Sequence, residues 1–255
     1  MTLLPVLLTS SVVVTDFSGK LNDPDLRIKY TIESISKWLS LDQSIRLVIC
    51  DGSNFDFTSR VKALFPSAQI ECLAFQNNPD PVKKHGKGYG EGEIIRYALT
   101  HSTFLQSADA FIKCTAKLWV LNAEDCIKQW NGQFACNAYF ANVFSLKKSQ
   151  LQFIDTRFYI STKAFYLLHF SEAHMDLGDV AGRSIEDAFL EVIQQHDIKH
   201  IFFRRPPIIC GVGGGSGKYY KSGIIRILKD RIRSQIVQRD KSYNSLFIDE
   251  CVTSD

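Results

Sequence analysis

Along the first half of the chain, short apolar runs alternate with stretches whose apolar positions recur every three to four residues. Residues 7–14 read as a buried strand, followed by the polar loop DFSGKLNDPD. Over residues 26–39 the apolar positions Ile28, Ile32, Ile35 and Leu39 have helical spacing. A second strand over 45–50 stops at Asp51-Gly52-Ser53, a short helix covers 57–65, and a third strand covers 69–75. The stretch KHGKGYGEGEIIRYAL (84–99) then reads as a glycine-rich loop opening a helix over 92–100, and a strand begins at 110–113. This alternation predicts an α/β fold with a mostly parallel sheet flanked by helices. The order loosens afterwards, with strands at 135–144 and 153–160 and helices at 163–171 and 184–195. A strand at 201–203 precedes Arg204-Arg205-Pro206-Pro207 and the segment IICGVGGGSGKYYKSG, and a basic helix over 222–238 is followed by a polar tail. No repeat, low-complexity linker or composition shift marks a domain boundary, so the expectation is one main domain, residues 1–221, with 222–255 appended.

Composition leaves this picture standing. A chain of 255 residues, 45% hydrophobic and 22% charged, can bury a full-sized core. The net charge of +3 implies no general affinity for polyanions, and nucleic acid is not expected as a partner. Charge is unevenly placed: residues 218–241 carry eight Lys or Arg against Asp230 and Asp240, a surplus of six, so the remainder sums to −3. Seven scattered cysteines without a C-x-x-C pair predict free, buried thiols in a reducing compartment. The start MTLLPVLLTSSVVVTD lacks a basic n-region and reads as a buried strand, not a signal peptide. No apolar run approaches the ~20 residues of a membrane helix, and a cytoplasmic protein is expected.

Ligands of open α/β sheets sit beyond the carboxyl ends of the strands. Those ends offer Thr9, Ser10 and Ser11 with Thr15-Asp16, then Asp51, Gly52 and Ser53, then the glycine stretch. Two nucleotide fingerprints fail there. G-x-G-x-x-G started at Gly86 or Gly88 places Glu91 or Glu93 where the last glycine belongs. A P-loop read around Gly217-Lys218 has Val212 and Tyr219 at its two ends. What remains is a bare backbone at a helix N-terminus, which favours an anion. Lys87, Gly88, Tyr89, Gly90 and Glu91 are the candidates, with Lys87 supplying charge and Glu91 or Glu93 accepting from sugar hydroxyls.

In their order, VLLTSS, VICDGS, GKGYGEGEIIRYAL, ADAFIKCTAKLWV, IDTRFYISTKAFY, SIEDAF and the late glycine segment resemble small bacterial glycosyltransferases of the GT-A type that build surface polysaccharides such as lipopolysaccharide and capsule. The resemblance implies a GT-A-like fold, with a nucleotide-binding half at 1–120 and an acceptor-side half with a lid loop at 121–221. It implies transfer of a sugar from a nucleotide-sugar donor to a glycan or polyprenyl-linked acceptor. Where such enzymes carry a metal-binding Asp-x-Asp, this chain has Lys113-Cys114-Thr115-Ala116-Lys117, and Asp23-Pro24-Asp25 comes too early to replace it. The expectation is therefore a transferase with no required cofactor, neither Mn nor Mg being excluded, in which Lys87, Lys113, Lys117 and Lys218 stand in for the ion. Gly215, Ser216, Gly217 and Lys218 resemble the segment that closes over the diphosphate.

Glu186-Asp187 resembles the acidic pair of inverting GT-A enzymes, which makes Asp187 the expected base and Glu186 the acceptor-positioning group. Asp155 and Arg157, charged on a predicted strand, are expected on the acceptor side or as a structural ion pair. His85 is placed to touch phosphate; the other histidines read as structural. In the last helix Ile224, Leu228, Ile232 and Ile236 recur at i+4 beside Ile225. That stripe can dock on the core, or lie on an anionic membrane surface. Two alternatives to transfer stand beside it. A sugar-phosphate nucleotidyltransferase would want a G-x-G-T-R-like loop after the first strand, where this chain has TSSVVVTDFSG. A non-catalytic nucleotide-sugar-binding protein fits the missing Asp-x-Asp.

Overall fold

The computed structural model describes residues 4–14, 20–178, 183–215, 217–220 and 223–249. In chain order the first half runs β1 (Val6–Ser10), α1 (Pro24–Leu41), β2 (Leu47–Asp51), α2 (Thr58–Leu64), β3 (Ile70–Ala74), α3 (Pro79–His85), α4 (Lys87–His101), α5 (Thr103–Gln106) and β4 (Ala110–Thr115). It continues through β5 (Leu118–Val120), α6 (Ala123–Gln129), β6 (Phe134–Ala141), β7 (Gln150–Thr162), α7 (Lys163–His169), α8 (Ile185–Gln195), β8 (Ile209–Val212), β9 (Tyr219–Tyr220) and α9 (Ile224–Gln238).

The main sheet has the order β3-β2-β1-β4-β7-β6, with β1 to β4 parallel and β7 antiparallel to both β4 and β6. This is the expected α/β architecture, a mostly parallel mixed sheet flanked by helices. Its first strands are buried on both faces, which is why they read as apolar runs. Val6 and Leu8 face a cluster with Ile28, Ile35 and Trp38 of α1; Leu7 faces one with Ile94, Ile95 and Ala98 of α4. Each such buried aliphatic side chain contributes about 1.5–3 kcal/mol. The chain leaves β1 toward β2 on one side and comes back as β4 on the other, at Val6↔Leu47 and Val6↔Ile112. The strand order therefore switches direction beyond Thr9 and Thr115. A small second sheet, β5-β8-β9, stands beside that point.

Two local expectations change. Asp23-Pro24-Asp25, which spells a metal motif, is a helix start. Asp23 caps α1 by accepting from Leu26 N at 3.1 Å, Pro24 occupies the first turn, and Asp25 favours the dipole. The glycine stretch is not a loop, because α4 begins at Lys87 and takes Gly88, Gly90 and Gly92 inside it. The turn between α3 and α4 is Gly86 alone, at φ +80°. The helical glycines make room for neighbours. A Cβ on Gly92 would lie 2.1 Å from Cγ of His174, and one on Gly88 would lie 3.1 Å from Cβ of Ile185. Residues 201–203 are not a strand, and Phe202 pairs through isolated bridges to Cys136 and Phe247.

The last helix docks on the core through one face and leaves its apolar stripe exposed. Ser234 and Gln238 donate to the Arg204 carbonyl at 2.9 and 2.8 Å, and Val237 is buried. Ile224 and Ile225 are 83% and 84% exposed, and Leu228, Ile232 and Ile236 are exposed with them. The six cysteines in the described residues are free, and all but Cys72 are buried; Cys251 lies outside those residues. No helix among the described residues is long and apolar enough to cross a membrane.

Candidate functional site

A cavity of about 750 Å³ opens where the sheet reverses its order. Thr9, Ser10, Ser11 and Thr115 form its floor at the ends of β1 and β4. The α3–α4 junction, from His85 to Gly88, makes one wall, and Gly213, Gly214 and Gly215 at the tip of the β8–β9 hairpin make another. Arg157 and Glu186 close the far side. The hairpin tip is pinned by Gly213 N donating to the Lys218 carbonyl at 3.0 Å and Gly217 N to the Gly213 carbonyl at 2.7 Å. Its bareness lets cations approach. A Cβ on Gly215 would stand 2.6 Å from Lys87 Nζ, and one on Gly214 would stand 3.2 Å from Lys117 Cε and 3.7 Å from Arg27 Nη1.

The cavity is short of negative charge. Lys117 is 3% exposed, yet among the described residues no carboxylate lies within ion-pair distance of it. Burial, reinforced by the Arg27 charge, lowers its pKa to about 7. Arg27 is 8% exposed and, among the described residues, donates only to main-chain carbonyls, Ser11 at 2.6 Å and Leu21 at 2.7 Å. Burial lowers its pKa too, with Asp51 working in the opposite direction. The first N–H groups of α4 add partial positive charge, and no side chain caps that end. Among the described residues, buried Asn22 Oδ1, Asn77 Oδ1 and His85 Nδ1 of the lining find no hydrogen-bond partner. A ligand rich in anionic oxygen and hydrogen-bonding groups suits this inventory.

Where Asp-x-Asp would hold a divalent cation, the chain presents Lys113 and Lys117. Among the described residues no three His, Cys, Asp or Glu side chains are grouped to hold a metal ion.

Of the residues singled out in the sequence, Thr9, Ser10, Ser11, Lys87, Gly88, Gly90, Glu91, Lys117, Gly215, Arg157 and Glu186 line this cavity. Others do not. Lys113 is fully buried and donates to Glu91 Oε1 at 2.5 Å and to the Thr156 carbonyl at 2.7 Å, so its charge is already matched. Glu91 accepts from Thr9 Oγ1 at 2.9 Å as well, which ties α4 to the end of β1. Asp51 is buried and holds the backbone of Val12, Ser53 and Phe55, while Ser53 Oγ accepts from Val13 N at 2.9 Å. Gly52 packs under Asn77 and Ile94. Tyr89 stacks with His85 and lies edge-on to His174. Gly217 sits beside Lys20, and Gly217 and Lys218 form the hairpin's outer side. Ser216, Thr15 and Asp16 lie outside the described residues.

Asp187 is turned away. Its carboxylate accepts from the Ser184 N–H at 2.9 Å and the Ser184 hydroxyl at 2.7 Å, completing a capping box on α8. Glu186, one residue earlier, is half-buried at the cavity wall and accepts from Thr156 Oγ1 at 3.3 Å. Asp155 holds Arg157 through two bonds of 2.7 and 2.6 Å and lines a second cavity. Arg27 escaped the sequence reading, although its signal was present. With Thr31, Ser34 and Trp38 it lies on the buried stripe of α1, where a charge is out of place.

No protein-family profile matches the chain, and no curated protein matches it. Among solved structures it is similar to a Desulfovibrio desulfuricans G20 protein assigned as a nucleotide-diphospho-sugar transferase, at 11% identity and TM-score 0.45 over 77% of this chain and 78% of that one. It is similar to the galactosyltransferase LgtC in complex with donor and acceptor sugar analogs, at 9% identity and TM-score 0.42 over 74% and 70%. The inositol-1-phosphate CTP transferase from T. maritima gives 12% identity and TM-score 0.47 over 91% and 97%. Likenesses at this level carry no argument about activity.

Proposed function

We propose that the chain is a glycosyltransferase that holds the diphosphate of a nucleotide-sugar with its own cations and passes the sugar, with inversion, to a glycan or lipid-linked saccharide. The observation that carries this reading is the pair Lys117 and Arg27, buried in an open cavity with no carboxylate counter-ion among the described residues. An uncompensated buried charge is costly, and a diphosphate laid between Lys117, Arg27, Lys87 and the start of α4 offsets that cost. The volume and the position at the switch point suit a ligand of nucleotide-sugar size.

The chemistry follows from the two sides of the cavity. Glu186 takes the proton of the acceptor hydroxyl, and the hydroxyl oxygen bonds to the anomeric carbon. The bond from that carbon to the phosphate oxygen breaks, and the electron pair leaves on the diphosphate. Lys117, Arg27 and Lys87 offset the charge gathering there. This assigns the base to Glu186, with Asp187 holding the helix that carries it.

The exposed apolar stripe of α9 and the basic surplus around it support a peripheral seat on anionic lipid at the cytoplasmic face of a membrane. Such a seat would bring a lipid-linked acceptor to the cavity.

The full chain is titrated with UDP-, GDP-, CMP- and dTDP-sugars, with and without EDTA, and turnover is followed on saccharide acceptors. One donor should bind in EDTA, Lys117→Met should weaken it at least tenfold, and Glu186→Gln should bind it and not transfer. Activity lost in EDTA and restored by manganese would overturn the metal-free reading. Tight donor binding without turnover on any acceptor would favour the non-catalytic alternative.

A further inference from the structure

A second cavity, of about 360 Å³, lies on the other side of Arg157, between the β6–β7 pair and α9. Its charges do not balance. Arg157, Arg226, Arg231 and Arg233 line it against Asp155 and Asp230, four guanidinium groups for two carboxylates. Both carboxylates are engaged. Asp155 is held bidentately by Arg157, and Asp230 accepts from Arg233 at 2.8 Å with Arg226 at 3.8 Å. Among the described residues no carboxylate lies within ion-pair distance of Arg231, and both Arg226 and Arg231 are exposed.

The lining is also aromatic, with the Arg233 guanidinium 5.8 Å from the centroid of the Tyr139 ring. Tyr139 and Phe153 are cross-strand partners, their rings stacked at 5.2 Å and 11°. They are 44% and 37% exposed, where cross-strand aromatics of a sheet more often find cover. Asn137, opposite Asp155 on the same pair of strands, also lines the cavity and adds donor and acceptor capacity.

We infer that this cavity takes the acceptor, and that the acceptor is a saccharide carrying a negative charge, as carboxylate or phosphate. The inference rests on the transferase reading and extends it to the second substrate. The C–H face of a sugar ring packs on an aromatic wall, and guanidinium groups match the two-oxygen geometry of carboxylate and phosphate. Arg157 lines both cavities and stacks at 5.1 Å on Tyr220, which lines the first. A saccharide bound here is one side chain away from the donor.

The test is calorimetric titration of the full-length protein with three probes: a hyaluronan tetrasaccharide, which carries uronate carboxylates, maltose 1-phosphate, and neutral chitotetraose. A charged probe should bind at least tenfold more tightly than the neutral one, and binding should weaken as salt rises. Arg226→Gln/Arg231→Gln and Tyr139→Ala should each weaken it at least tenfold, while affinity for the nucleotide identified in the donor screen stays within twofold. The probe that binds names the anionic group. No preference for charge, or undiminished binding in both variants, overturns the inference and leaves the transferase reading standing. Charged-saccharide binding with no nucleotide bound by any form of the protein would overturn the transferase reading instead.

Discussion

Replacing Lys117 with methionine keeps most of the side chain's length and removes its charge, which makes it a direct measure of what the buried ammonium costs the fold. Lys117 has a pKa of about 7 against an ordinary value of 10.5. At ~1.4 kcal/mol per pH unit, that difference corresponds to a penalty of about 5 kcal/mol. The sign follows from proton counting. Between about pH 7 and 10.5 the unfolded chain binds the proton and the folded chain does not, so wild-type stability rises with pH there. Below pH 7 both states are protonated and the whole penalty applies. Lys117→Met should therefore be more stable than wild type by about 5 kcal/mol at pH 6, and by about 2 kcal/mol at pH 9. Urea unfolding followed by circular dichroism at the two pH values reads both gaps. Donor affinity should run the other way. A diphosphate favours the protonated amine, so wild-type affinity falls up to tenfold per pH unit above pH 7 with uptake of at most one proton, and in Lys117→Met this dependence flattens. A variant that is no more stable at pH 6, or a gap that does not narrow by pH 9, would refute the reasoning.

Gly92→Ala sets about 1 kcal/mol of better helix propensity against a Cβ 2.1 Å from the buried His174 ring. Overpacking of up to ~3 kcal/mol should win, leaving a net loss of about 2 kcal/mol in a urea melt. Asp187→Ala should cost about 1 kcal/mol through the lost cap while transfer survives; abolished transfer in a folded variant would return the base to Asp187. Ile224→Asp/Ile225→Asp should leave the thermal melt unchanged, since both side chains are exposed. The same variant should lower affinity for phosphatidylglycerol vesicles at least tenfold in co-sedimentation, and equal binding would remove α9 from the membrane.

The strands β1, β2 and β4 were legible because burial on both faces writes an apolar run, and α1 because its buried stripe repeats at helical spacing. The glycine stretch misled for a physical reason. A glycine that frees the backbone to turn and one that lets a neighbour pack close look the same in sequence, and only the His174 ring and Ile185 show that Gly92 and Gly88 are of the second kind. α3 hid behind two prolines, although Asn78 followed by Pro79 and Asp80 is a cap and a first turn. Strand ends pointed to Thr9 and the resemblance to Lys117, and both line the large cavity. Lys113 lies inside β4 among hydrogen-bonded neighbours, and only the positions of Glu91 and Thr156 show that it is spent. The capping role of Asp187 was readable, since Ser184-Ile185-Glu186-Asp187 spells a capping box with Asp187 at its third position.

Arg157 is a party wall. Because its guanidinium borders both chambers, filling one changes the field and the free space met by whatever enters the other. By thermodynamic reciprocity each occupant must alter its neighbour's affinity by the same factor. A substitution at this position therefore cannot be assigned to one chamber from a single titration, and only a cycle measured with each ligand in the presence and absence of the other would divide its effect.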